Sequence, residues 1–337
     1  MRTVPLDASD GWRPASVWGL ALLYGASYAC FSLVANRTGA APTSGTDLSL
    51  KAAAFALIVC IPVYVFRRRL AARAAALAPQ EAGPGAPAAA ASGLATAVIA
   101  LTTLAAFSFS GVSILFALLM MRGGVLILSP IIDAASRRRI RRQSVLLLSV
   151  SVLVVAYALS RTGEEPRSGW IYVNLGAYLL AYAVRLSVMS REAKRDRPGA
   201  RAAFAAAEFR WASVFLLTAG LSLAALAAAT TTTTTTTTMT AAGGWSIAAH
   251  GASGGVAYAA VLFAGTLIYL DPREHSFTIP VNRGAGLAGG AAGAVVGGAF
   301  GLVASPSWAE LTSAAVILLA LACAARFERR QHPSISR

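Results

Sequence analysis

The sequence predicts an all-α integral membrane protein with ten transmembrane helices, arranged as two inverted five-helix repeats. Three observations lead to this fold class. Of the 337 residues, 56% are hydrophobic and only 13% are charged, about half the charged share of a soluble domain. The apolar residues also fall into ten stretches of membrane-spanning length. Finally, the basic residues alternate between the two ends of successive stretches, as the positive-inside rule requires.

The ten predicted spans are long apolar runs, most of which lack the polar face of an amphipathic helix. They cover 16–36, 48–66, 93–109, 112–135, 144–160, 169–190, 209–229, 247–270, 276–303 and 308–326. Only Ser110 and Gly111 separate the third span from the fourth, so one long kinked segment is an alternative there. The Ala-, Pro- and Gly-rich stretch Arg67–Ser92 is predicted to be a flexible cytoplasmic loop.

The charge pattern tests this arrangement. With the N-terminus in the cytoplasm, most of the 29 Lys and Arg residues fall on the cytoplasmic side. The other side holds Arg37, Lys51, Arg161 and Arg167. Because one span more or fewer would scramble this asymmetry, an even number of spans is predicted, with both termini cytoplasmic. Residues 1–15 and 327–337 are then cytoplasmic tails, and the expected location is a bacterial inner membrane.

Composition also disfavours several classes of protein. The net charge of +15 comes from short basic clusters between apolar runs. No aromatic stacking platform accompanies these clusters, so a nucleic-acid partner is not expected. The three cysteines lie far apart inside apolar runs, which argues against a disulfide scaffold. The three histidines and three cysteines form no cluster with ligand spacing, so neither a metal nor a cofactor is expected.

Weak internal similarity divides the spans into two halves, residues 16–161 and 162–326. Corresponding spans share residues at corresponding places: Tyr24, Tyr28, Asn36 and Arg37 match Tyr178, Tyr182, Ser190 and Arg191, and Phe116, Arg122, Gly123 and Leu126 match Phe277, Arg283, Gly284 and Leu287. Because each half has an odd number of spans, the second half enters the membrane inverted. Inverted repeats are typical of secondary transporters.

This layout resembles the drug/metabolite transporter (DMT) superfamily, including its EamA-type members. The resemblance rests on the five-plus-five spans, the short hairpin of spans three and four, and the basic loop Arg137–Gln143 before an apolar run. That family often has a Glu before this basic stretch, whereas the nearest acid here is Asp133, so the chain resembles a divergent member. The resemblance implies a transporter fold. In the superfamily, carriers of sugar phosphates and nucleotide sugars hold anionic substrates with basic residues of central helices.

Arg122 and Arg283 are the first candidates for a substrate site. Arg122 lies about ten residues, roughly 15 Å, into span four, and Arg283 lies at the corresponding place in span nine. A charged residue in mid-span costs at least about 2.5–3.5 kcal/mol on insertion scales and suggests a functional site that faces the protein interior. Two guanidinium groups could grip a carboxylate or a phosphate. Alternatively, both arginines are structural and bind backbone carbonyls of broken helices, or snorkel.

Neighbouring residues could complete the site. Asn282 adds a polar group near the kink that Pro280 predicts. Tyr28, Tyr182 and Arg185 could line the cavity opposite the arginine pair, although the tyrosines could instead support helix packing and Arg185 could snorkel to the cytoplasmic edge. The acids Asp133, Glu208 and Glu310 are all placed near span boundaries, so no buried carboxylate is predicted to carry protons. Proton coupling through Asp133 is an alternative.

A stripe of glycines follows one face of span nine: Gly289, Gly293, Gly297 and Gly301. Repeated GxxxG spacing allows two helices to approach closely. The stripe is predicted to pack within the monomer or to form a homodimer interface.

The leading hypothesis is a secondary transporter that moves a small, anionic metabolite by alternating access between its two halves in the lipid bilayer. A second hypothesis is a non-transporting membrane scaffold or sensor. A third is an intramembrane enzyme that acts on lipid-linked phosphate, which is disfavoured because no nucleophile or general base is predicted at the depth of the arginines. A continuous polar cavity would favour the transporter.

Overall fold

The structure is a computed structural model. It describes residues 17–36, 45–77, 85–109, 113–135, 149–150, 152–154, 156–157, 160, 169–192, 200–233, 241–270 and 275–331. These residues are almost entirely helical and include no strand. The all-α fold class is therefore confirmed for the described part of the chain.

The helices are numbered in chain order, so that each number is also that of the predicted span. They are α1 (Val17–Asn36), α2 (Gly45–Leu77), α3 (Ala86–Ser108), α4 (Ile114–Ala135), α6 (Trp170–Glu192), α7 (Ala200–Thr233), α8 (Ala241–Leu270), α9 (His275–Ala299) and α10 (Trp308–Gln331). The label α5 is used for the helical residues described between 149 and 160.

Several helices are suited to a membrane. Within the described part of the chain, six helices are long and apolar enough to cross one: α1, α2, α3, α6, α7 and α8. Large apolar side chains also point away from the bundle, among them Leu22 with 76% and Leu180 with 67% of the side chain exposed. A soluble protein rarely exposes so much apolar surface. The helices thus indicate a membrane-embedded protein.

Two predictions about loops are wrong. The stretch Arg67–Ser92 is not one flexible loop, because α2 continues to Leu77 and α3 begins at Ala86, while residues 78–84 lie outside the described part. Ala, Arg and Leu are strong helix formers, which explains the extension beyond the apolar run. The third and fourth spans are not one kinked segment either. Phe109 is extended (φ −69°, ψ 126°), and a new helix begins at Ile114.

The helices pack in a definite set of pairs. α2 packs against α7 and α8, α1 against α8 and α9, and α3 against α6 and α7. α4 lies against α6 and α9, and α10 against α9 and α4. This arrangement leaves α1, α3, α4, α6, α8 and α9 around a common centre.

Glycines allow the closest of these contacts. A Cβ atom at Gly289 would overlap the backbone of Gly25 in α1, and one at Gly251 would overlap the backbone of Lys51 in α2. A Cβ at Gly93 would lie 2.5 Å from Cβ of Trp211, where α3 crosses α7. Small residues at such crossings are the usual means by which membrane helices pack.

The glycine stripe of α9 packs within the chain. Gly289, Gly293 and Gly297 all face α1, where a Cβ would meet Gly25, Ala29 or Leu33. The intramolecular interpretation therefore holds for these three positions. The fourth, Gly301, adopts a positive φ of 65° after the end of α9, and a Cβ there would meet nothing within 4 Å. The predicted homodimer through this face lacks a free surface at the first three glycines.

Candidate functional site

A polar cavity lies at the common centre of the bundle. The space between its walls, with the open solvent at its mouth included, is about 440 Å³. The part that the centres of water molecules can reach is about 30 Å³, which is room for about two waters. Tyrosines and threonines supply most of its polar groups. The lining residues are Tyr24, Tyr28, Thr96, Ile99, Thr103, Arg122, Tyr178, Tyr182, Arg185, Tyr258, Val261, Leu262, Gly265, Thr266 and Asn282.

Arg122 enters this cavity from α4 and is only 3% exposed. Its Nη2 donates a hydrogen bond of 2.7 Å to the hydroxyl of Tyr24. Its guanidinium carbon lies 4.7 Å from the ring centroid of Tyr28, a distance typical of a cation–π contact. The remaining donors, Nε and Nη1, are buried and have no hydrogen-bond partner among the described residues. A buried guanidinium with two open donors can accept an anion.

A glycine provides the room for this arrangement. A Cβ atom at Gly286 of α9 would lie 3.0 Å from Nη2 of Arg122 and 3.0 Å from Cε1 of Tyr24. Similarly, a Cβ at Gly265 of α8 would lie 3.0 Å from Cε2 of Tyr24 and 3.4 Å from Nδ2 of Asn282. Each glycine leaves space where a side chain would press on the polar groups of the cavity.

Arg283 occupies a related position on α9. It is 1% exposed, and its guanidinium carbon lies 4.4 Å from the ring centroid of Tyr182. Tyr182 lines the cavity, whereas Arg283 itself does not. Each arginine thus lies over a tyrosine of its own half of the chain, Arg122 over Tyr28 and Arg283 over Tyr182. The neighbour of Arg283, Asn282, is the residue of α9 that faces the cavity.

Arg185 forms a buried ion pair at the wall of the cavity. Its Nε donates to Oε1 of Glu208 at 2.6 Å. The hydroxyl of Thr96 donates to the same carboxylate oxygen at 2.6 Å. Arg185 is 6% exposed and Glu208 1% exposed. Arg185 and Thr96 both line the cavity, so the carboxylate of Glu208 lies directly behind two of its lining residues.

The sequence does not predict Glu208 to be buried. The apolar run of span seven begins at residue 209, which puts Glu208 at a boundary, but α7 begins at Ala200. Glu208 therefore lies two turns inside the helix. The alternative in which Arg185 snorkels to the membrane edge is wrong, because its guanidinium is buried and binds this carboxylate.

The structure brings most of the predicted site residues together. Five of them line the cavity: Tyr28, Arg122, Tyr182, Arg185 and Asn282. Arg283 is connected to it through Tyr182. Their role in binding a substrate stays a prediction.

The sequence does not predict the other lining residues, notably Thr96, Thr103 and Tyr258. One signal was available for the first two. Thr96 and Thr103 are seven residues apart, so they lie on one face of an otherwise apolar helix.

The described residues contain no group of three His, Cys, Asp or Glu side chains that could hold a metal ion. The polar groups around the cavity are instead guanidinium, phenol, hydroxyl and amide groups. Such groups bind an organic ligand by hydrogen bonds and by contact with aromatic rings.

Comparison with known proteins gives a likeness of fold. The chain is similar to a solved structure described as "Crystal structure of protein", with a TM-score of 0.51 and 15% sequence identity. The similarity covers 90% of this chain and 97% of that chain. At this identity the likeness concerns the fold alone. No model of a protein family and no curated protein matches the chain.

Proposed function

We propose that this protein is a secondary transporter of a small anionic metabolite, which binds in the central cavity and moves by alternating access between the two halves of the chain. The observation that carries the proposal is Arg122. It is a buried guanidinium with two open hydrogen-bond donors in a polar cavity.

The charges around the cavity favour an anion. Arg185 is compensated by Glu208, whereas Arg122 has no carboxylate partner among the described residues and is held by a phenol hydroxyl and aromatic rings. Burial of an uncompensated charge is costly. An anion that bound to Nε and Nη1 of Arg122 would remove this cost, and a cation would increase it. Tyrosine rings and hydroxyls around it would accommodate an organic body.

The helix packing supports two related halves. If the two halves are repeats, α1 corresponds to α6, α3 to α8 and α4 to α9. The pair α1–α8 then corresponds to α6–α3, and the pair α1–α9 to α6–α4. The pair α2–α8 likewise becomes α7–α3, while α2–α7 and α4–α9 map onto themselves. All of these pairs pack in the structure. Contacts of this kind are expected of two repeats related by a two-fold axis, with a substrate at their interface.

The site itself has the same internal relation. The sequence match pairs Tyr28 with Tyr182 and Arg122 with Arg283. In each half, the arginine lies over the matching tyrosine, at 4.7 Å and 4.4 Å. We therefore propose five-helix repeats at 16–161 and 162–326, ten spans, and membership of the DMT superfamily as a divergent, EamA-like member.

The alternatives receive less support. A scaffold or sensor has no need of a polar cavity at the centre of its bundle. An enzyme that acts on lipid-linked phosphate needs a nucleophile or a general base near the phosphate. Among the described residues, Glu208 places a carboxylate beside the cavity. This carboxylate already accepts hydrogen bonds from Arg185 and Thr96, so it is not available as a general base.

Ligand-dependent stability of the purified protein tests the proposal. Because a ligand that binds the native state raises its apparent stability, we expect at least one anion from a panel of carboxylates, phosphates and sulfonates to raise the melting temperature. Arg122→Gln removes a charge-assisted hydrogen bond of about 1.5–3 kcal/mol. Its affinity for that anion should therefore fall about 10- to 100-fold.

The matched control is Arg210→Gln. It also removes one positive charge, but Arg210 is an exposed residue of α7 that does not line the cavity. This variant should bind the anion as the wild type does and transport it into proteoliposomes. Equal binding by the Arg122 and Arg210 variants would contradict the role of Arg122. Stabilisation by neutral or cationic compounds alone would contradict the anionic substrate.

A further inference from the structure

We propose that Glu208 is a proton-binding site of the central cavity, and that it takes up a proton when an anion draws Arg185 away from it. The inference rests on the proposed function, because it makes anion binding and protonation two parts of one event. It goes beyond that function because it assigns the coupling group that the sequence left unassigned.

The first argument for a proton site is the position of Glu208 inside an apolar helix. Glu208 is 1% exposed and lies in the apolar segment Ala202–Thr230. Ionisable residues at such positions are costly and are retained for ion or proton pathways. Here the ionised carboxylate is held by two donors, Nε of Arg185 and Oγ1 of Thr96, each 2.6 Å from Oε1.

The second argument is the position of Arg185 between Glu208 and the cavity. It contacts Glu208 and also lines the cavity in which Arg122 presents its open donors. An anion that binds Arg122 therefore meets a second guanidinium, and it competes with Glu208 for that group. A carboxylate that has lost its cationic partner in an apolar setting is strongly disfavoured as an ion and becomes protonated instead.

The exchange balances without any redox partner. The hydrogen bond between Arg185 and Glu208 breaks, and the substrate anion takes the place of the carboxylate. A proton from the bulk solution, relayed through water in the cavity, forms an O–H bond on Glu208. The hydroxyl of Thr96 can serve both states, because a hydroxyl donates to a carboxylate and accepts from a carboxylic acid. One negative charge thus leaves the wall as another arrives, so the cavity never holds an unpaired carboxylate.

Arg185 is the charged side chain that the structure shows in direct contact with Glu208. From α3 it meets the neutral Thr96. From α6 it meets Arg185, with the phenol of Tyr182 one turn earlier. On the α2 side, the ring of Phe66 lies 5.7 Å from that of Phe209, and the thiol of Cys60 contacts the carbonyl of Ser213 at 3.4 Å. Across the cavity, α4 contributes Arg122.

Infrared spectroscopy of the full chain in lipid nanodiscs tests the proton site without a substrate. Arg185→Gln removes the partner, as a bound anion would. We expect a carbonyl band of a protonated carboxylic acid to appear at pH 7 in Arg185→Gln and to be absent from the wild type. The band should be lost again in the Arg185→Gln, Glu208→Gln double variant. Absence of the band from a folded Arg185→Gln protein would overturn the proposal.

Arg185→Lys is the matched control for folding and for charge. It keeps a cation beside Glu208, so the carboxylate should stay ionised and no carbonyl band should appear. If Arg185→Gln fails to fold, Thr96→Val with Arg185→Lys weakens both hydrogen bonds while the cation is kept. Infrared titration of this variant should show Glu208 taking up its proton at a higher pH than in the wild type, and an unchanged titration would overturn the proposal.

A second measurement tests the coupling, with benzenesulfonate as the probe because its charge does not change between pH 5.5 and pH 8. Uptake of one proton with each anion makes binding up to tenfold tighter per unit decrease in pH. We expect this slope in the wild type and a flat response in Glu208→Gln. Binding that is independent of pH in the wild type would overturn the coupling. Absence of benzenesulfonate binding at every pH would count against the anion site, while the infrared band still decides the proton site.

Discussion

Lys51 is buried as completely as the arginines around the cavity, yet its surroundings differ from theirs. It is 0% exposed, and its Nζ donates a hydrogen bond of 2.6 Å to the carbonyl oxygen of Ala35. Ala35 belongs to the last turn of α1, where carbonyls lack partners within the helix and carry partial negative charge. Lys51 therefore caps α1 from the neighbouring helix and has a structural role.

This assignment predicts the effect of Lys51→Met on stability. The substitution keeps much of the apolar stem but removes the donor, which leaves a buried carbonyl unsatisfied. The expected loss is about 1–3 kcal/mol, seen as a lower melting temperature in detergent, while anion binding to the remaining folded protein is unchanged. Loss of binding without loss of stability would show that Lys51 belongs to the ligand site instead.

The contact between α1 and α9 depends on backbone approach, and α9 offers a matched pair of glycines to test it. A Cβ atom at Gly289 would overlap the backbone of Gly25. At Gly284 the nearest atoms are the methyl groups of Leu321 and Leu318, at 3.6 and 3.9 Å, which is ordinary contact. Substitution by alanine should thus destabilise the protein at Gly289 and be tolerated at Gly284.

Gly289→Ala is expected to force α1 and α9 apart and to destabilise the protein by about 1–3 kcal/mol, as overpacking does. Gly284→Ala should be neutral or stabilise the helix by up to about 1 kcal/mol, because alanine is a better helix former than glycine. Melting temperatures of the two variants, measured side by side, check the prediction. Equal melting temperatures would mean that the close approach at Gly289 does not support the fold.

At the scale of elements, the sequence predicts those helix ends that coincide with the end of an apolar run. Span one was predicted at 16–36 and is found as Val17–Asn36, and the start of span ten agrees in the same way. The predicted helix ends are wrong where residues with high helix propensity extend a helix beyond the apolar run, as at the C-terminus of α2 and the N-terminus of α7. The second of these differences concerns Glu208, because a charged residue beside an apolar run predicts a membrane boundary, whereas here it lies inside the helix.

The site is harder to predict than the helices. Arg122, Arg185 and Asn282 stand out because polar residues are rare in apolar spans. Threonines such as Thr96 do not, since membrane helices tolerate them in packing interfaces and at any depth. Whether two arginines share one pocket depends on helix rotation, which the sequence does not encode in a readable pattern. Here Arg122 faces the cavity, and Arg283 lies behind Tyr182.

Across the whole molecule, hydrogen bonds join the same ends of many helices. Asn36, at the end of α1, bonds to Phe107 near the end of α3. Thr46, at the start of α2, bonds to Thr230 near the end of α7. These contacts place the ends of odd-numbered helices beside the starts of even-numbered ones.

Two further bonds extend the pattern. Ser113, just before α4, bonds to Glu310 in the first turn of α10 at 2.5 Å, and Asn174, near the start of α6, bonds to the carbonyl of Thr102 in α3 at 2.9 Å. This is the arrangement expected if each helix crosses the membrane once and the chain reverses each time.

Reporter fusions test the predicted topology. An even number of spans with a cytoplasmic N-terminus places Arg337 and the α2–α3 connection in the cytoplasm, and the connection before α6 outside. Green fluorescent protein fused after Arg337 or inserted at Gly83 should therefore fluoresce, and alkaline phosphatase inserted at Gly163 should be active. An active phosphatase after Arg337 would require an odd number of spans and would contradict the inverted halves.

The distribution of aromatic residues gives the molecule two separate optical signals. Tyr24, Tyr28, Tyr178, Tyr182 and Tyr258 all line the cavity, whereas none of the tryptophans that the structure describes does. Trp18, Trp170, Trp245 and Trp308 are between 51% and 83% exposed at the starts of their helices. These five phenols lie in the interior of the bundle, where a bound ligand would alter their ultraviolet absorption, while the fluorescence of these four indoles responds to the surroundings of the helix starts. A change in phenol absorption when a ligand is added, and a change in indole emission on transfer into a bilayer, are thus the two signals expected of one unlabelled sample.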